Sequence, residues 1–163
     1  MTTRRDFLKT MTMASAGLAL GTGDLLGAPI SVSQRKAAAD KVKIAYVGIG
    51  NRGEQIIGDF ARTGMVEVVA LCDVDMGAPH TQKVMNMYPK AKRFRDFRQM
   101  FDKAGNDFDA VAIATPDHSH FPITMLALAS GKHVYVEKPL ARTFYEAELL
   151  MQAALKLSLI HIS

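Results

Sequence analysis

A short apolar run, Val42 to Val47, passes directly into Gly48-Ile49-Gly50-Asn51-Arg52-Gly53, and the chain then takes up helical spacing over about Arg52–Arg62. GxGxxG between a strand and a helix leaves few folds open, because each glycine has a steric reason to be there. Gly48 allows the tight turn, Gly50 lets the backbone come close to a pyrophosphate, and Gly53 lets the helix pack against the strand. The start of that helix offers free N–H groups and a partial positive charge to phosphates. Gly48, Ile49, Gly50, Asn51, Arg52 and Gly53 therefore form one candidate phosphate cradle. A glycine-rich turn could also exist without any ligand. The element that decides for a dinucleotide is Asp73, twenty residues after Gly53 at the end of the second apolar run. A carboxylate there accepts hydrogen bonds from the adenosine ribose. Its charge also repels a 2′-phosphate, and no Arg or Lys lies between Val74 and Thr81 to offset it. The expected cofactor is NAD rather than NADP. Asp75 reads as a turn residue.

The body of the chain alternates two textures. Apolar runs at Val42–Val47, Val66–Cys72, Asp109–Ala114 and His133–Val136, with a weaker one at Ala91–Phe94, read as strands. Between them, Arg52–Arg62, Ala78–Tyr88, Phe97–Lys103, Pro122–Ser130 and Phe144–Lys156 read as helices. Alternation of this kind predicts βαβ units and an α/β fold, a Rossmann-type doubly wound parallel sheet. The runs are nearly continuous rather than alternating, as strands covered on both faces require. Gly131 has the place of a helix C′ residue. Asp96 with Gln99, and Thr143 with Glu146, have capping-box spacing. The 163 residues amount to roughly one domain. With 48% apolar and 22% charged residues, collagen-like, coiled-coil and disordered classes are excluded.

In a doubly wound sheet, ligands sit outside the carboxyl ends of the strands. Two later loops fall there. The fourth run ends in Thr115-Pro116-Asp117-His118-Ser119-His120, and Thr115, Pro116 and His120 are expected at the nicotinamide end. His118 and His120 have no third side chain at ligand spacing, so no metal is expected. The fifth run ends in Glu137-Lys138-Pro139-Leu140. Charges leaving a buried strand are often only solvated at its rim. The functional reading places Lys138 in the cleft as the catalytic residue, bonded to a substrate hydroxyl and helping its proton leave. A partly buried lysine, with its pKa lowered, suits that role. Glu137 would hold the lysine or the nicotinamide ribose. The lone Cys72 permits no intrachain disulfide and reads as a buried, inert thiol.

The first forty residues differ from the rest. Thr3-Arg4-Arg5-Asp6-Phe7-Leu8-Lys9 precedes a mild apolar stretch from Thr10 to Gly23, too short for a membrane span of about 20 residues. The pattern resembles the twin-arginine export signal. It implies partnership with that export machinery, passage in the folded state and a periplasmic location. Cleavage is expected after Ala28 or after Ala37-Ala38-Ala39. Residues 1–40 are thus a leader and linker, outside the fold. Net charge is +4, with five basic and three acidic residues in 1–40 and fifteen and thirteen after it. The densest basic run, Lys90 to Arg98, is broken by Asp96 and reads as a solvated face. No nucleic-acid partner is expected.

With these motifs in place, residues 41–156 resemble the NAD(P)-binding domain of the glucose–fructose oxidoreductase, inositol dehydrogenase and rhizopine-catabolism family (Gfo/Idh/MocA). The marks are Gly48–Gly53, Cys72-Asp73, the Thr115–His120 loop and Glu137-Lys138-Pro139-Leu140. The resemblance implies that Lys138 is the active-site lysine and that His120 is the family's loop histidine. It implies oxidation or reduction of a sugar, inositol or related polyol, and a homo-oligomer at full length. The family continues into a larger α/β domain and a further strand. Residues 157–163 fit that pattern poorly and are similar to translated adapter read-through, so the chain is expected to be a C-terminally truncated fragment. Two alternatives remain open. Some relatives use NAD transiently in glycoside cleavage, although they tend to lack the lysine of Glu137-Lys138-Pro139. The chain could also be a non-catalytic nucleotide-binding fragment, inactive by itself.

Overall fold

The computed structural model describes residues 41–157. The leader 1–40 and all of the tail beyond Leu157 lie outside the described residues. Five strands form one sheet: β1 Val42–Val47, β2 Val66–Cys72, β3 Lys92–Phe94, β4 Ala110–Ile113 and β5 His133–Val136. Their order is β3-β2-β1-β4-β5, and every neighbouring pair is parallel. The helices between and after them are α1 Arg52–Arg62, α2 Pro79–Met87, α3 Phe97–Ala104, α4 His120–Ala129 and α5 Phe144–Lys156. This is the Rossmann α/β fold expected from the alternation of textures.

The continuous apolar character of β1 is explained by its two faces. Ala45 and Val47 point into a core with Met100, Phe101, Ile123 and Ala127 of α3 and α4. Ile44 and Tyr46 point the other way, onto Ile56, Ile57, Val84 and Met85 of α1 and α2. Successive side chains of a strand face opposite sides, so a sheet with helices on both needs apolar residues at each position. The edge strands β3 and β5 carry no fully buried residue.

Local signals act as read, with small differences. Thr143 and Glu146 of α5 form the reciprocal capping box. Asp96 caps α3 by accepting from Arg98 N at 2.8 Å, a residue earlier than the capping-box partner. Gly131 has φ 68 and closes α4. The fourth helix starts at His120, two residues before Pro122, since proline is tolerated within a first turn. Among the described residues, no helix is long and apolar enough to cross a membrane. The basic run is committed within the chain: Lys92 pairs with Asp107 at 2.7 Å, and Arg95 donates to Val74 and Met76 carbonyls.

Candidate functional site

Ladder bonds extend one step past β1, β2, β4 and β5 and line up the expected site residues. Gly48 N donates to Cys72 O (2.8 Å), Asp73 N to Phe94 O (3.1 Å), Ala114 N to Val47 O (2.9 Å) and Glu137 N to Ile113 O (2.9 Å). Gly48, Asp73, Ala114 and Glu137 thus share the carboxyl edge of the sheet, with β1 and β4 at the point where strand order reverses. At Gly48, φ is 81, and a Cβ would meet Ala114 O at 2.6 Å and Thr115 N at 2.9 Å. A Cβ on Gly53 would run into the carbonyl of Gly48. Both positions require glycine for the reasons the sequence supplied. A Cβ on Gly50 would strike the imidazole of His80, a neighbour with no signature in the local sequence. Asn51 takes φ 46, a conformation asparagine adopts more readily than most residues. Among the described residues no side chain caps the start of α1, and such a helix end suits a phosphate.

Asp73 is tied into this turn. Its Oδ2 accepts from Ile49 N at 2.9 Å and its Oδ1 from Asp75 N at 3.0 Å. Each carboxylate oxygen accepts more than one hydrogen bond, which leaves capacity for ribose hydroxyls. Asp75 is exposed, with His80 Nε2 4.0 Å from its Oδ2. No Arg or Lys lies between Val74 and Thr81 in sequence, yet the fold brings Arg95 to the same loop, its Nη1 and Nη2 on Val74 O (3.1 Å) and Met76 O (2.7 Å). Cys72, just before, is buried. Burial, with the charges of Asp73 and Asp96 adding to it, pushes its thiol up to about 12.

Beside the turn lies a cavity of about 420 Å³ lined by Arg52, Ala114, Thr115, Asp117, His120, Glu137 and Lys138. Arg52 Nη2 donates to Glu137 Oε1 at 2.9 Å, and Tyr135 Oη donates to the same oxygen at 2.9 Å. The hydrogen bond from Arg52, then that from Tyr135, holds the Glu137 carboxyl below the usual carboxylate range. Glu137 is thus occupied by Arg52 rather than by Lys138. Lys138 opens on the cavity but is exposed, not partly buried as expected. It leaves the end of β5, which is an edge strand among the described residues. Pro116 is exposed on the rim, its carbonyl accepting from Ser119 N at 2.9 Å. His120 is 1% exposed, with Nδ1 2.7 Å from Pro139 O and Nε2 2.8 Å from Thr115 O. Thr115, which lines the cavity, has its Oγ1 buried with no hydrogen-bond partner among the described residues, a buried polar atom of the kind that calls for a partner. The open helix start, the close-packed glycines and this hydroxyl all fit a dinucleotide laid across the edge.

Residues 42–162 match a family model described as an oxidoreductase family with an NAD-binding Rossmann fold, GFO_IDH_MocA. The chain belongs to this family. The match takes in most of the segment 157–163 that was set apart as a tail. NAD is the cofactor of the Gfo/Idh/MocA domain. The chain is 31% identical over 167 residues to a glycosyl hydrolase family 109 protein of Shewanella pealeana, covering 93% of this chain and 36% of that protein. Apo scyllo-inositol dehydrogenase of Lactobacillus casei superposes with TM-score 0.64 at 27% identity, over 73% of this chain and 34% of that one. The WlbA dehydrogenase of Bordetella pertussis, in complex with NADH and UDP-GlcNAcA, gives TM-score 0.62 at 25% identity, over 73% and 36%. The chain spans about a third of the length of these relatives.

Proposed function

We propose that the protein is an NAD-dependent oxidoreductase acting on a CH–OH carbon of a sugar, inositol or related polyol. The observation that carries this reading is the placement of Lys138 on the same cavity as Thr115 and His120, beside the glycine turn. Bound NAD supplies the hydride acceptor. The turn Gly48–Gly53 and the α1 N-terminus hold the pyrophosphate, and Asp73 takes the adenosine ribose. Arg52 and Tyr135 fix Glu137 as a wall of the cavity. Lys138 Nζ binds the substrate hydroxyl and, when neutral, accepts its proton as the carbon is oxidised. The Arg4-Arg5 leader supports export in the folded state to the periplasm, and the family resemblance supports a homo-oligomer.

The test is turnover of free polyols by the whole protein. Lys138→Ala is expected to lower turnover by about 10²–10⁴-fold while NAD still binds, as read by calorimetry. Turnover retained in that variant removes Lys138 from the chemistry. A second reading is favoured by one specific finding, the glycosyl hydrolase name of the Shewanella relative. Release of an aryl aglycone from a glycoside, with no net NADH, would establish it in place of the first.

A further inference from the structure

Asp73 can take a ribose only if its carboxyl group stays where the turn puts it. One anchor is Ile49 N, on Oδ2 at 2.9 Å, and the other is Asp75 N, on Oδ1 at 3.0 Å. The second anchor belongs to a peptide with no apolar hold of its own, since Val74 is 75% exposed and Asp75 is exposed as well. That peptide is held from its far edge instead. The Val74–Asp75 bond is trans, so its C=O and N–H point to opposite sides. The N–H donates to Asp73, and the C=O accepts from Arg95 Nη1 at 3.1 Å. Nη2 of the same guanidinium donates to Met76 O at 2.7 Å. We propose that Arg95 is a positioning residue of the ribose site: acting through the Val74–Asp75 peptide, it fixes the Asp73 carboxylate and with it the choice between NAD and NADP.

The surroundings of Arg95 suit this role. It follows Phe94, whose carbonyl accepts from Asp73 N at 3.1 Å, so the end of β3 lies against the start of the loop. Among the described residues Arg95 has no ion pair, and the neighbouring Asp96 carboxylate serves Arg98 N and the Arg98 guanidinium. The charge of Arg95 is thus left to the two carbonyls, and bonds from an ionised donor are roughly twice as strong as neutral ones. Guanidinium, peptide and carboxylate form a chain of hydrogen bonds from positive to negative, in which each bond polarises the next. Arg95 stands on the edge of the peptide away from the Asp73 carboxyl, so it braces that group and does not offer a cation beside it. The effect on nucleotides rests on the ribose role of Asp73 proposed above; the hold of Arg95 on the loop does not.

The experiment compares the whole protein with Arg95→Met, which keeps an apolar stem and removes the donors, and with Arg95→Lys, which keeps the charge but not the fork. Without nucleotide, hydrogen exchange read by mass spectrometry over residues 73–78 is expected to speed up by about tenfold in Arg95→Met and by less in Arg95→Lys. In calorimetry, NAD affinity is expected to fall by about tenfold in Arg95→Met and NADP affinity by less. A loosened carboxylate loses ribose hydroxyls but also repels a 2′-phosphate less. NADP affinity falling further than NAD affinity would make Arg95 a phosphate ligand and overturn the inference. Unchanged exchange overturns it as well, and faster exchange with both affinities unchanged would reduce Arg95 to a structural clamp. If Arg95→Met does not fold, Arg95→Lys decides, and parental exchange with a parental ratio of the two affinities overturns the inference. Asp73→Ala separates the two readings: NAD affinity unchanged in that variant removes the ribose role and any effect of Arg95 on nucleotides, whereas unchanged exchange in the Arg95 variants removes only Arg95.

Discussion

Gly53 shows how little room the phosphate turn leaves. A methyl group there would overlap the Gly48 carbonyl, which is main chain and cannot swing aside. Gly53→Ala is expected to destabilise the domain by about 1–3 kcal/mol through overpacking and to abolish the thermal upshift on adding NAD. Melting curves with and without the dinucleotide check both. The need for glycine at 48 and 53 was legible in the sequence because it comes from sterics between close neighbours. His80 over Gly50 and Arg95 under the Asp73 loop were not legible. Their contacts cross 30 and about 20 positions and depend on where a helix start and a strand end happen to meet. The motif was enough to bring Lys138 to the cavity, but not to foresee that it stands exposed there, since exposure depends on packing across the end of β5 that no local pattern encodes.

At the scale of elements, the Arg52–Glu137 pair joins the start of α1 to the end of β5, 85 positions apart. The Tyr135 ring continues the same tie, meeting Phe60 of α1 edge-on at 5.4 Å. Because the folded Glu137 carboxyl titrates below its usual range, the bond contributes stability above about pH 4.3 and loses it as pH falls through the depressed value. Arg52→Gln is therefore expected to melt below the parent at pH 7, with the gap closing as the pH falls below the usual carboxylate range and through the depressed value. A gap independent of pH would assign the loss to packing instead. Strand positions and helix spans were readable because burial on two faces demands unbroken apolar runs. Ends were less so: Asp96 spends its cap on Arg98, and α4 begins ahead of its proline.

For the molecule as a whole, a parallel sheet with helices on both faces could be anticipated from the texture of the chain, whereas the cavity could not, since it is assembled from α1, the loop after β4 and the end of β5. The proposed export route makes a prediction at this scale. Replacing Arg4 and Arg5 together by lysine is expected to leave the protein in the cytoplasm, folded and able to bind NAD, as fractionation would show. Periplasmic recovery of that variant would remove the twin-arginine reading. The bond from Ile49 N to Asp73 Oδ2 has a consequence for anyone wishing to retool this domain. The side chain proposed to take the adenosine ribose is also a rivet of the scaffold around it. Exchanging Asp73 to welcome an extra phosphate would slacken the seat for every nucleotide, so a change of preference has to be engineered together with a new brace for Ile49.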